Sequence, residues 1–446
     1  MQPSQPRENA PETRPSVSPD GVSRRSVLRT STAMAIGAAA ASALNFGFPS
    51  GVYAAGDGTI KVGLVGCGGR GSGAAVNAMN GDPNAKIVAL GDAFRDKAEA
   101  SLKNLKAANA KQVDVGPGQI FDGLDAYKHV IEASDVVLLA TPPHFRPMHL
   151  KAAIEAGKHV FCEKPVGVDA PGVRSVMETA DLAKKKNLTL VSGLCYRYDQ
   201  AKQELVKKIH DGELGELQFL QTNYLTGGLW SNPRQPAWSD MEWQLRNWLY
   251  FYWLSGDHIV EQHIHSLDKM LWVMKDVPPA KVIATGGRIQ RVQPQYGNVY
   301  DHFTSMFEWE SGVRCMSTCR QFVGCDTDVS DWVYGTKGTA DIMQHRINAP
   351  GGGKMLWKRR KPAPAMYDYE HVELFKSVRD GKALNNGDYM CKSTMMAIMA
   401  RMSAYTGKSV KWQDAWDSQE SYTPKSYDFG PFPVAPVAVP GANSVT

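Results

Sequence analysis

Ile60-Lys61-Val62-Gly63-Leu64-Val65-Gly66-Cys67-Gly68-Gly69-Arg70-Gly71, continued by the small-residue stretch Ser72–Met79, decides the fold of this chain. The first six residues form a short apolar run of the buried-strand type, and the small residues after the glycines read as a helix start. Glycines spaced GxGxxG are a weak signal alone and a much stronger one between a strand and a helix. Gly66 allows the tight turn, Gly68 lets the backbone approach a pyrophosphate, and Gly71 permits close helix–strand packing. Phosphates then sit on free N–H groups at the helix N-terminus. Gly66, Cys67, Gly68, Gly69, Arg70 and Gly71 are therefore candidate dinucleotide-binding residues.

Outward from this loop, a second apolar run, Ala85–Leu90, ends at Gly91-Asp92, 21 residues beyond Gly71. An acid there accepts hydrogen bonds from ribose hydroxyls and repels a 2′-phosphate, favouring NAD; Arg95 nearby keeps NADP open as the alternative. A third run, Asp135–Ala140, leads into Thr141-Pro142-Pro143-His144, then a helix over Met148–Ala156 and a strand His159–Cys162. Alternation of this kind predicts a doubly wound parallel sheet of the α/β Rossmann type.

The whole chain has 446 residues, room for two domains or three. Hydrophobic residues make up 43% and charged residues 21%, ordinary globular usage that excludes wholesale disorder. The formal net charge is +5, too weak to argue for nucleic acid or an anionic membrane. Seven cysteines without CxxC spacing describe neither a disulfide framework nor a zinc site. Residues 1–22 are polar and Pro-rich; Ser23-Arg24-Arg25-Ser26-Val27-Leu28 then precedes an Ala-rich run to Leu44 and a small-residue exit at Val52-Tyr53-Ala54. Basic region, short apolar region and exit make an export signal, and the adjacent arginines make it a twin-arginine one. The run is too short and Ala-rich for a stable membrane span. Residues 1–54 are thus expected to be a leader read by the twin-arginine translocation machinery, and the chain to be periplasmic or otherwise exported.

Several further motifs make a family. Together with the Gly66–Gly71 loop and Ala140-Thr141-Pro142-Pro143-His144 they are Glu163-Lys164-Pro165, Gly193-Leu194-Cys195-Tyr196-Arg197-Tyr198, Gly212-Glu213-Leu214-Gly215 and Tyr334-Gly335-Thr336-Lys337-Gly338-Thr339. From about residue 59 to about 412 the chain resembles the glucose–fructose oxidoreductase, inositol dehydrogenase and rhizopine catabolism (Gfo/Idh/MocA) family. The resemblance implies a Rossmann domain, placed at 55–188, then an α+β domain at 189–412 whose open, mainly antiparallel sheet forms homo-oligomer contacts. Strand-like stretches Glu216–Tyr224, Lys281–Gly287, His302–Trp309 and Val313–Arg320 agree. Glu370–Arg379 and Lys392–Thr406 read as helices, the second closed by Gly407. Residues 413–446 form a tail expected to lie extended on the surface.

The resemblance also implies chemistry. The family lysine matching Lys164 contacts the reacting hydroxyl and the nicotinamide region, with Thr141, Pro142, His144 and Glu163 on the cofactor side. Family members carry Asp-x-Gly-x-His-x-x-Asp beside the substrate; Glu261, His263, His265 and Asp268 match it, so Glu replaces the usual Asp and His the usual Gly. On one helix Glu261 and His265 are i,i+4 neighbours, so Glu261 is expected to fix His265 and raise its pKa. His265 is then the acid/base, and Lys164 polarises the substrate. Arg197, Tyr224, Arg246, His263 and His265 are the candidate substrate-binding residues. The histidine cluster can also be read as metal ligands or as helix packing; without an acidic or Cys cluster, no metal site is assigned.

Free NAD is not supplied outside the cytoplasm, so an exported dehydrogenase needs a cofactor it keeps. The expected function is hydride transfer between tightly bound NAD(H) and a hydroxyl or carbonyl of a carbohydrate. The alternatives are a redox-neutral NAD-dependent glycosidase and a non-catalytic sugar-binding protein.

Overall fold

The computed structural model describes residues 58–442, so the leader with its arginine pair lies outside the described residues. A six-stranded parallel sheet comes first: β1 (Ile60–Val65), β2 (Ala85–Asp92), β3 (Ile120–Asp122), β4 (Val136–Leu139), β5 (His159–Cys162) and β6 (Leu190–Ser192), in the order β3-β2-β1-β4-β5-β6. Helices α1 (Gly69–Gly81), α2 (Arg95–Asn109), α3 (Ala126–Ala133), α4 (Arg146–Glu155) and α5 (Ala170–Lys185) connect the strands. All four residues of β4 are buried because both sheet faces are covered, which is why the strand reads as an unbroken apolar run. Strand order reverses between β1 and β4, and the crevice at their carboxyl ends is where such sheets take ligands.

Two features depart from the expected domain boundary. β6 extends the sheet to Ser192, past residue 188. α11 (Met366–Asp380) returns from the far end of the chain, and its Leu374, Phe375 and Val378 share one core with Ile60, Val62 and Leu64 of β1. The dinucleotide half is therefore closed by a helix that sequence proximity does not reveal.

The second half begins with α6 (Gln200–His210) and β7 (Leu217–Thr226), then the short helices α7 (Asp240–Arg246), α8 (Tyr252–Ser255) and α9 (His258–Glu261), then α10 (Ile264–Val273). β8 (Lys281–Gly287), β9 (His302–Glu308), β10 (Arg314–Gln321), β11 (Asp328–Gly335), β12 (Thr339–Asp341), β13 (Arg346–Asn348) and β14 (Met355–Lys358) precede α11. α12 (Gly387–Thr406), β15 (Val410–Lys411) and α13 (Trp412–Asp417) follow it. The sheet runs β14-β13-β12-β11-β7-β10-β9-β8-β15 and is antiparallel except between β7 and β10. α10 and α12 pack on one face; the other leaves Ile283 and Met316 exposed. Gly407, at φ 73°, closes α12 in the left-handed conformation.

Among the described residues beyond Asp417 there is no helix or strand, yet this segment is fastened at several points. Arg174 donates to the Ser418 carbonyl at 2.9 Å, and the Asp169 carboxylate accepts from the Tyr422 amide at 2.9 Å. Asn298 donates to the Ala435 carbonyl and Tyr300 to the Ala438 carbonyl. Among the described residues no helix is long and apolar enough to cross a membrane.

Burial sets how this fold meets acid. His144 and His371 are pushed down to about 4, and His149 and His263 to about 3, in each case chiefly by burial. The unfolded chain takes up these protons near 6.5 and the folded chain does not. Their contribution is therefore complete above pH 6.5 and is lost as pH falls toward 4, by up to about 1.4 kcal/mol per histidine per pH unit. The thermal midpoint is expected to fall steeply between pH 6.5 and pH 4.5; a flat midpoint over that range contradicts the burial argument.

Candidate active site

A cavity of about 570 Å³ lies at the crevice. One wall is the glycine loop with Asp92, Thr141 and Pro142; the opposite wall is Leu229, Trp230, Leu245, Arg246 and Leu249, and Glu261 and Gln262 are also among its lining residues. Gly66 has φ +92°, and a Cβ there would come within 2.6 Å of Ala140 and Thr141 backbone atoms. A Cβ on Gly71 would meet the Gly66 carbonyl oxygen at 1.8 Å. A Cβ on Gly68 or Gly69 would meet nothing within 4 Å, because both face the open cleft. α1 starts at Gly69 with no side-chain cap and no acid in its first turn, leaving its positive end open to an anion.

Asp92 stands at the other end of this loop. Its carboxylate accepts the Cys67 amide at 2.7 Å and the Phe94 amide at 3.0 Å, and each oxygen keeps a lone pair for a ribose hydroxyl. Burial raises its pKa, against those two hydrogen bonds. Cys67 thus spends its amide on Asp92 rather than on phosphate. Loop, helix end and acid together fit a dinucleotide.

Arg70 lines the cleft, and its guanidinium is already paired there. Its guanidinium pairs with Glu163 and, at 3.3 Å, with Glu370 of α11, and it lies over the Tyr367 ring. Burial works to raise the Glu163 carboxyl, but Arg70 foremost, with Lys164 and Arg146, holds it low. Burial drives Glu370 well up, helped by Glu163. Glu163 is thus committed to Arg70 and to the Lys164 amide, at 3.0 Å, instead of the cofactor. His144 also turns away: it packs among Phe145, Trp253 and Tyr427, with Nε2 2.8 Å from the Tyr427 hydroxyl.

At the far end Lys164 Nζ donates to the Glu261 carbonyl at 2.6 Å and lies 3.4 Å from Glu261 Oε1. The expected Glu261–His265 pair does not form. α9 ends at Glu261, Gln262 and His263 interrupt it, and α10 starts at Ile264, so the i,i+4 relation is broken. His265 sits edge-on to Tyr196, with ring centroids 5.4 Å apart, and its pKa is driven well below the ordinary value, first by burial and then by Lys164, Lys269 and Arg70. The imidazole is neutral, the reverse of the raised basicity the sequence suggested. Glu261 Oε2 and His265 Nδ1 are both buried without a hydrogen-bond partner.

Other candidates have structural posts. Arg197 grips Asp268 at 2.8 Å and Asp276 at 2.7 Å while stacked on Tyr389, so it holds α10 rather than a substrate. His263 is fully buried with Nε2 2.6 Å from Ser317 Oγ. Tyr224 lies on β7 edge-on to His263, behind Glu261, and does not line the cavity. Arg246 lines it, but at the Asp92–Phe94 end. Sequence reasoning missed Glu370, Tyr196 and Gln262. Gln262 accepts from Gln321 at 2.7 Å. Tyr196 did carry a signal, since it lies inside a quoted family motif. Among the described residues no group of three His, Cys, Asp or Glu side chains is arranged to hold a metal.

A place for a dinucleotide beside an ammonium, a carboxylate and a neutral imidazole is what a nicotinamide-dependent oxidoreductase needs, and fold and site put the chain in that class. Residues 60–194 match the oxidoreductase family with an NAD-binding Rossmann fold, and residues 203–341 match the GFO/IDH/MocA C-terminal domain. The two matches together span more than half of the sequence, and the chain belongs to the GFO/IDH/MocA oxidoreductase family. It is 26% identical over 290 residues to an inositol 2-dehydrogenase of Rhizobium meliloti, covering 65% of this chain and 77% of that one. The fold is shared with aldose-aldose oxidoreductase of Caulobacter crescentus, with TM-score 0.62, 20% identity and coverage of 79% and 99%. It is shared also with scyllo-inositol dehydrogenase of Lactobacillus casei, solved with NAD(H) and scyllo-inositol, with TM-score 0.59, 18% identity and coverage of 80% and 99%.

The glycines make separable expectations. Gly68→Val places its side chain in the open cleft, so the melting temperature should hold while NAD affinity drops at least about tenfold. Gly71→Ala forces its methyl onto the Gly66 carbonyl and should destabilise the fold itself. Titration calorimetry and thermal melts check both; unchanged NAD affinity in Gly68→Val contradicts the placement of the pyrophosphate.

Proposed function

We propose that the chain is an exported oxidoreductase that moves hydride between a tightly held NAD(H) and a hydroxyl or carbonyl carbon of a sugar or glycoside. The observation that carries this reading is that the cavity beside the glycine loop is lined by Glu261, whose carbonyl and carboxylate hold Lys164 Nζ at 2.6 and 3.4 Å. The bound nicotinamide supplies the hydride acceptor. Lys164 donates to the reacting oxygen and stabilises alkoxide as it develops. The neutral His265 accepts the hydroxyl proton, which becomes more acidic as hydride leaves the same carbon. Glu261 holds the ammonium by its carbonyl and carboxylate and takes a neighbouring hydroxyl.

The printed names of the relatives, an inositol 2-dehydrogenase and an aldose-aldose oxidoreductase, support CH–OH chemistry on polyols. The arginine-pair leader supports export, and export supports a cofactor that stays bound while one carbohydrate is oxidised and another reduced. The exposed sheet face bearing Ile283 and Met316 is where we place homo-oligomer contacts.

Lys164→Met should lower hydride transfer at least about 100-fold with NAD affinity changed only a few-fold. Bound reduced nicotinamide and keto-sugar, measured on a panel of aldoses and inositols, read this out. Wild-type turnover in Lys164→Met contradicts the reading, and released aglycone without keto product supports a redox-neutral glycosidase instead. Residues 1–57 fused to a folded fluorescent protein should carry it out of the cytoplasm, and changing both Arg24 and Arg25 to Lys should stop it. Export that ignores both changes contradicts the twin-arginine assignment.

A further inference from the structure

Arg246 ends α7, in the segment that forms the outer wall of the cavity, yet its guanidinium reaches the dinucleotide-binding half. It lies 3.8 Å over the Phe94 ring and 3.3 Å from both carboxylate oxygens of Asp96, in the first turn of α2. Glu242, one turn back on α7, holds its Nε at 2.8 Å. Phe94 follows the acid expected to read the ribose and gives its amide to that acid, so Arg246 closes the cleft at the adenosine end.

The tail adds a second layer. Phe429 packs edge-on to Phe94, with centroids 6.0 Å apart. Its neighbours fix it there: the Gly430 carbonyl accepts from the Met241 amide, and the Phe432 amide donates to Asp240 at 3.1 Å. The Phe432 carbonyl accepts from Gln244 at 2.6 Å, and Tyr427 sits against His144 in the Rossmann half. The tail therefore straps α7 to the Rossmann half beside Phe94.

We propose that Arg246, Phe94 and Phe429 form a latch that retains the nicotinamide dinucleotide, so that the cofactor remains bound through successive turnovers. This rests on the nicotinamide reading and adds to it the residues that prevent exchange. A dinucleotide leaving the cleft must part Arg246 from Asp96 and Phe94 and displace the strapped Phe429. An ion pair and an aromatic contact of this exposure are individually limited, and losing either one speeds release by about tenfold at most.

The test uses the full chain loaded with NADH and mixed with excess NAD, release being followed by loss of energy transfer from tryptophan to bound reduced nicotinamide. Arg246→Ala and Phe429→Ala should each release NADH about tenfold faster, with association changed less. Arg246→Lys, which keeps the charge and loses the planar stack, should fall between. Should Arg246→Ala fail to fold, Phe429→Ala, a truncation of a half-exposed ring, carries the test alone. Release within twofold of the native rate in variants that still bind NADH overturns the latch and leaves the nicotinamide reading standing. A native chain that neither contains nor binds a nicotinamide overturns both.

Discussion

One guanidinium registers the two ends of this site. Arg70 stands in the first turn of the helix whose N-terminus faces the cleft, and it pairs with Glu163, the residue before Lys164. A buried carboxylate without a partner is costly, on the order of 3–5 kcal/mol when its counter-ion is removed, so the loop and the lysine cannot drift apart independently. Glu370 approaches the same guanidinium from α11, its pKa pushed well up by burial and by Glu163. Because α11 comes from near the end of the chain, the register of the phosphate and hydride ends depends on the last quarter of the sequence being folded.

The second half completes the site in two places. Glu261 stops a helix where Lys164 needs an acceptor, and the interruption at Gln262 and His263 leaves His265 edge-on to Tyr196. Burial foremost, then the charges of Lys164, Lys269 and Arg70, holds the pKa of that imidazole well below its ordinary value. At the opposite end the segment after β7 lays Leu229, Trp230 and Arg246 over the Rossmann crevice. The proposed carbohydrate chemistry at one end and the proposed cofactor latch at the other thus draw on the same half of the chain, while the dinucleotide fold supplies the floor.

The Rossmann half was legible because its signals are local. A strand, a glycine turn and an acid at Asp92 follow one another within about thirty residues, and each has its own steric or electrostatic reason. β3 escaped because three half-exposed residues leave no pattern, and α11 because only packing reveals which half it joins. Arg197 and Glu163 were misplaced for one reason, and the partners of Arg70 were hidden by it too: sequence shows that a charge is near a site but not which buried partner claims it. Asp268 and Asp276 claim Arg197, and Glu370 was invisible as a partner of Arg70 across 300 residues. The Glu261–His265 pair failed because helix spacing was assumed through a segment where the helix breaks. Arg246 was read as a sugar ligand from its aromatic surroundings, which instead serve to hold it over Phe94.

The central claim is that hydride passes directly between a carbohydrate carbon and nicotinamide in the cleft between Gly68 and Lys164. Deuterium placed on the ring carbons of candidate aldoses and inositols tests it in the native protein, by mass spectrometry of the nicotinamide recovered after denaturation. One deuterium on the reduced nicotinamide, from a single ring position and retained in ordinary water, is the expected result. Nicotinamide carrying no label while keto-sugar accumulates, or label appearing only in solvent, would contradict it.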